Sequence, residues 1–224
     1  MMSEEFLTAI FLSIKVGLVC VSVISIPGVF MGWLLARKNF PGKVLLDAIV
    51  HIPLVTPPVV IGYGLLVFLG RKGLIGAVLY KYFGIEFGFT WMGAVIASAV
   101  MGFPLLVRST RLAIELVDQK LEKAARTLGL SPFAVFCKIT LPLSLPGIMC
   151  GLVLSFARSL GEFGATATFA GNIEGQTQTI SLAIFTMLQQ PGMENDAMYL
   201  ACVSIAISLG AIALSEILMR RAKR

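Results

Sequence analysis

At 224 residues, 57% hydrophobic and only 13% charged, with a mean hydropathy of +0.90, the chain is no ordinary soluble domain, in which about 25% of residues are charged. It reads as an integral membrane protein. The net charge of +6 speaks first to membrane topology, not to nucleic acid. Cys20, Cys137, Cys150 and Cys202 are scattered, with no CxxC or Cys/His cluster, so neither a disulfide framework nor a metal site is expected.

The N-terminus, MMSEEFLTAI, is acidic and lacks the basic start of a cleaved signal, so the first apolar run is read as retained. Five spans are predicted, at about residues 6–36, 44–69, 91–114, 147–170 and 199–219. Each supplies roughly the 20 apolar residues that a ~30 Å hydrocarbon core requires. In the first, Lys15 snorkels outward and takes no substrate role. The second contains HIPLVTPPVVIGYG. Its prolines Pro53, Pro57 and Pro58 remove backbone donors and kink a helix. Broken geometry in a membrane is tolerated against protein or beside a water-filled cavity. Pro57 and Pro58 therefore mark either a path-lining segment or a kinked packing helix. His51, the only histidine, lies near the end of this span and is assigned an interfacial role.

Between spans three and four runs EKAARTLGLSPFAVFCKITLPLSLP, a polar and basic segment. It predicts a helix over residues 119–128 that stops at Gly129, a residue suited to a left-handed C-terminal position. A second helix starts with Ser131 as N-cap and Pro132 at its first position. Phe133, Val135, Phe136 and Ile139 face the membrane or a partner. Such a helix–Gly–helix knuckle suits docking to something in water.

Span four contains SFARSLGEFGATATFAG. Ser155, Ser159, Glu162 and Thr166 recur at helical spacing and should share a face. Arg158 and Glu162, four apart, can pair. Ionisable residues at that depth face a bundle interior or a cavity. The face is either the wall of a conduit in which Arg158 meets an anion, or the seat of a structural ion pair. Residues 179–188, apolar but short, predict a re-entrant or interfacial helix on the outer side. Gly28–Gly32 and Gly147–Gly151 have the spacing of close helix contacts.

Positive charge sets the orientation. Arg37, Lys38 and Lys43 follow span one. Arg108, Arg111, Lys120, Lys123, Arg126 and Lys138 lie between spans three and four, and Arg220, Arg221, Lys223 and Arg224 end the chain. With five spans these fall on one side, which is then cytoplasmic. The N-terminus is expected outside and the C-terminus inside. There is no GxxxxGK[ST] loop, no HExxH, and no partner set for a Ser/His/Asp triad, so an enzyme and a bound cofactor are not expected.

The knuckle resembles the signature of binding-protein-dependent ABC import permeases: EAA, three residues, Gly, nine residues, Ile-x-Leu-Pro. Ala124, Ala125, Gly129, Ile139, Leu141 and Pro142 fall in register. The signature Glu would fall at Lys123, with Glu122 one residue earlier. The whole chain is similar to the molybdate permeases, through HIPLVTPPVVIGYG, SFARSLGEFGATATFAGN and TQTISLAIFTMLQQPG; sulfate and thiosulfate permeases share the ARSLGE-type span. The resemblance implies an all-α integral membrane protein with the type I ABC importer permease fold. It would form one domain over residues 1–224, with about five transmembrane helices and a coupling segment at about 118–145. It implies an inner-membrane homodimer in lipid, seated on two cytoplasmic ABC ATPase subunits. A periplasmic binding protein would bring molybdate or tungstate. Glu122, Ala124, Ala125, Arg126, Gly129, Ser131, Phe133, Phe136, Ile139 and Pro142 would couple to the ATPase. Pro57, Pro58, Ser155, Arg158, Ser159, Glu162 and Thr166 would line the path. No nucleic acid is implied. A gradient-driven channel or secondary transporter is the rival class, and predicts charge relays or an inverted repeat.

Overall fold

The computed structural model describes residues 2–222, which form helices and connections with no strand; Lys223 and Arg224 of the basic tail lie outside the described residues. Among the described residues four helices are long and apolar enough to cross a membrane: Glu4–Arg37 within α1 (Met2–Arg37), α5 (Trp91–Glu115), α7 (Pro132–Leu160), and Glu194–Leu214 within α10 (Glu194–Ala222). Between α1 and α5 lie α2 (Lys43–Val55), α3 (Pro58–Leu69) and α4 (Gly76–Phe83). The short helices α6 (Gln119–Thr127), α8 (Gly164–Phe169) and α9 (Ile180–Leu188) complete the chain.

The core is a stack with α5 in the middle. On one side α1 runs in the same direction: the Lys15 ammonium sits 3.8 Å above the Trp91 ring at one end. Toward the other end Gly32 abuts Thr110, where an added Cβ would lie 2.7 Å from Thr110 Cβ. On the other side α7 runs antiparallel, with the Ser155 hydroxyl donating to Gly102 O at 2.9 Å and the Ser109 hydroxyl donating to Gly147 O at 2.7 Å. Gly147 lies against Ala113, and Gly151 would place a Cβ 2.9 Å from Ser109 Cβ. Both glycine pairs are thus spent on bringing α1 and α7 against α5. Close backbone approach is how membrane helices gain van der Waals contact where lipid removes the hydrophobic drive.

Because α1 and α5 run the same way, the chain between them must recross the layer. α2 and α3 do this, but not as the single kinked span expected over 44–69. They are two helices bent by 115° at Thr56–Pro57. Thr56 is extended, φ −89° and ψ 140°, as the residue before a proline must be, and Pro58 opens α3 at its first position.

The fourth span also differs from its expected limits of 147–170. Its helix begins at Pro132 inside the knuckle and stops at Leu160. Pro142, which lacks an N–H and would crowd a carbonyl four residues back, is accommodated by a π turn over Phe136–Thr140, where Leu141 N–H bonds to Phe136 O. Beyond Leu160 the helix ends, and Glu162 Oε1 accepts from Ala165 N at 2.9 Å to start α8. The nine residues of α9 are too few to cross. They pack Ile180, Ala183 and Met187 on Ala9 of α1 and on Ala197 and Leu200 of α10, at the end opposite the knuckle.

Candidate functional site

The knuckle is built by local backbone chemistry. Asp118 caps α6 by accepting from Lys120 N at 2.8 Å. At the other end Gly129 adopts φ +88°, and Leu130 N bonds back to Ala125 O at 3.1 Å, closing the helix with a six-to-one bond. A Cβ at Gly129 would meet nothing within 4 Å, so its conformation and not its space demands glycine. Ser131 Oγ then accepts from Ala134 N at 3.2 Å, with Pro132 behind it, and α7 begins.

One face of the knuckle is bolted inward. Glu122 Oε1 accepts from Arg37 Nη2 at 2.9 Å, from Arg37 Nε at 3.1 Å and from the Thr140 hydroxyl at 2.7 Å. Arg37 Nη2 also donates to Val117 O at 2.9 Å. The end of α1, the entry to α6 and the π turn of α7 thus meet on one carboxylate. Ala125 is buried beside it, and Phe136, half-buried, packs edge-on against Trp33 with centroids 6.0 Å apart. Glu122, one residue before the signature position, therefore supplies the inward acid, while Lys123 faces out. Arg37, Thr140 and Trp33 were not singled out from the sequence as site residues. Their only signals are that Arg37 ends the first apolar run and that Thr140 is the open position in Ile-x-Leu-Pro.

The other face is bare. Leu128 is 85% and Phe133 77% exposed, and Lys123, Ala124, Arg126, Gly129 and Pro142 are also exposed; Ile139 is half-buried. Large apolar side chains exposed on the same short segment as basic ones mark an interaction surface. Small Ala124 and Gly129 leave room for a partner's backbone.

The second constellation lies where α3 meets α8. Gly164 sits against Pro58, and a Cβ there would be 2.9 Å from Pro58 Cβ; Gly62 packs on Ala165 and Thr168. The two proline- and glycine-bearing motifs, far apart in sequence, are thus in contact. Arg158 Nη1 lies 2.7 Å from Glu162 Oε2, with Glu162 1% and Arg158 30% exposed in their side chains. Ser155 does not face a conduit: its hydroxyl donates to Gly102 O and Gly151 O inside the α5–α7 contact. Ser159 and Thr166 are buried; Ser159 lies beside the Cys20 thiol, and the Thr166 hydroxyl has no hydrogen-bond partner among the described residues. The four residues share no single helix face, because α7 ends between Ser159 and Glu162.

Residues 28–223 match the family of binding-protein-dependent transport system inner membrane components, and the chain belongs to that family. Among its curated relatives is the Molybdenum transport system permease protein ModB of Escherichia coli K12, 57% identical over 95% of this chain and 93% of that one. The protein of the same name from Haemophilus influenzae is 55% identical over 97% of this chain and 95% of that one. The Sulfate transport system permease protein CysT of Escherichia coli K12 is 41% identical over 73% of this chain and 58% of that one. Among solved structures, an inward-facing MetNI methionine ABC transporter superposes with a TM-score of 0.76 at 17% identity, over 100% of this chain and 98% of that one. The fold is that of a type I ABC importer permease, and the chain is a multi-pass transport subunit of the inner membrane.

Proposed function

We propose that this chain is the permease of an ATP-driven importer whose cargo is molybdate, with tungstate as a close analogue. The observation that carries the reading is the knuckle, whose bare face of Leu128 and Phe133 is held rigidly to α1 and α7 through Glu122. The names of the relatives supply the cargo. In this reading two copies pair in the membrane, and each knuckle seats in a cytoplasmic ABC ATPase, with Phe133 as anchor and Lys123 and Arg126 as rim charges. A binding protein delivers the oxyanion at the opposite, periplasmic end. The N-terminus is then periplasmic and the C-terminus cytoplasmic, in line with the basic residues around the knuckle. ATP binding moves the knuckles and reorients the spans. Pro57, Pro58, Arg158, Ser159, Glu162 and Thr166, where the broken span meets α8, form the path.

The test is uptake by proteoliposomes that hold the permease with its ATPase, supplied with a molybdate-loaded binding protein. ATP-dependent molybdate uptake is expected. Uptake driven by an ion gradient without ATP overturns the importer reading, and uptake of sulfate alone reassigns the cargo.

A further inference from the structure

At the knuckle end, α2 and α5 flank an open pocket of about 310 Å³, lined by Asp47, His51, Arg108, Arg111, Leu112 and Glu115. Its charges are unevenly spent. Arg111 donates through Nη1 to Asp47 Oδ2 and through Nε to Glu115 Oε1, both at 2.9 Å. His51 Nδ1 lies 2.8 Å from Asp47 O and 3.3 Å from Asp47 Oδ1. Arg111 thus takes up both carboxylates. Arg108, one turn earlier, is exposed, and among the described residues it pairs with none.

The position is as informative as the charge. Ala97 and Met101 of α5 pack on Ala165 and Phe169 of α8. Residues 97, 101, 104, 108 and 111 lie on one stripe of a helix. The side of α5 that packs on Ala165 and Phe169 of α8 at one end therefore carries Arg108 at the other.

We infer that Arg108 is the anion-contacting residue of a release site for a tetrahedral oxyanion at the inner mouth, a site that rests on the importer reading. A guanidinium with no ion-pair partner among the described residues offers two parallel N–H donors to such an anion. Asp47 and Glu115 weaken the field around it, which suits a site that cargo must leave. Arg111 is a positioning residue that holds α2 against α5 and so closes the wall of the pocket. A phospholipid phosphate has the same chemistry and is the competing occupant.

The test uses the whole transporter in nanodiscs and proteoliposomes, with exposed Cys137, Cys150 and Cys202 changed to Ser and a Leu112→Cys probe beside Arg108. Molybdate added from the knuckle side should slow thiol labelling of the probe several-fold in zwitterionic lipid. The protection should vanish in Arg108→Gln and partly return in Arg108→Lys. Arg108→Gln should also lower uptake about tenfold, near 1.4 kcal/mol for a factor of ten. Protection that survives Arg108→Gln overturns the inference, as does protection seen only with anionic lipid and no added molybdate. If the unsubstituted transporter imports no molybdate, the importer reading fails by itself, and the labelling arm still decides whether Arg108 holds the anion.

Discussion

Two buried glutamates, each paired with an arginine, stand at opposite ends of α7 and have different duties. Glu122 reaches Arg37, 85 residues away, and takes a third bond from Thr140, so one carboxylate ties three distant segments. Glu162 reaches Arg158 only four residues back and spends its other oxygen on Ala165 N at the helix break. The side chains of the first pair are 9% and 12% exposed, whereas Arg158 of the second is 30% exposed. Opening the first pair strands a buried arginine and loosens the knuckle. Opening the second leaves Glu162 still capping α8 and frees a cation that is only partly covered by the chain itself. A bolt and a latch are thus made from the same two residue types, and the partners of each pair decide which it is.

The largest effect expected from testing that contrast is Glu122→Ala. It leaves Arg37 buried without its carboxylate and should cost about 3–5 kcal/mol. Thermal unfolding of the purified protein reads this directly, and a melting temperature like that of the unsubstituted chain would mean that no bolt exists. Gly147→Ala touches neither pair but drives a methyl group into Ala113. It should cost about 1–3 kcal/mol as overpacking, and serves as a calibration for damage to the α5–α7 contact alone. Glu162→Gln keeps an acceptor for Ala165 N while discarding the charge, so a smaller loss of about 1 kcal/mol is expected. Its signature should be functional: uptake should change by more than the melting temperature predicts, and equal losses in both would make Glu162 merely structural. Phe133→Ala should leave stability within about 0.5 kcal/mol. Its effect should appear as weakened retention of the ATPase during purification, at least tenfold if Phe133 is an interface anchor.

Some of this was readable from residue order. The stop at Gly129 and the cap at Ser131 follow from chemistry within a few residues, and the structure has both where expected. The long apolar runs of α1, α5 and α10 were likewise apparent from length. The partner of Glu122 was not, because nothing local to either residue points across 85 positions. Hydropathy placed residues 44–69 in one span since it counts apolar side chains and not the donors that Pro57 and Pro58 remove. The spacing of Ser155, Ser159, Glu162 and Thr166 implies a shared face only while the helix continues. Gly161 and the cap from Glu162 end it midway, which puts Thr166 on another element, while Ser155, before the break, is turned into the contact with α5.

The unbroken run of α7 has a mechanical consequence. From Pro132 to Leu160 it is a rod of 29 residues, about 43 Å long at the rise of an α-helix. Its near end carries Phe133 on the bare face, and its far end stops where Arg158 meets Glu162. A tilt of about 5° imposed at Phe133 would carry Leu160 through about 4 Å, more than the length of the Arg158–Glu162 contact. Pro146 removes one backbone bond within the rod, and the π turn at Phe136–Thr140 is a second soft place, which the Thr140 hydroxyl clamps to Glu122. The rod is a lever with its wrist splinted, so that force applied at the surface is delivered to the latch instead of being lost in the bend.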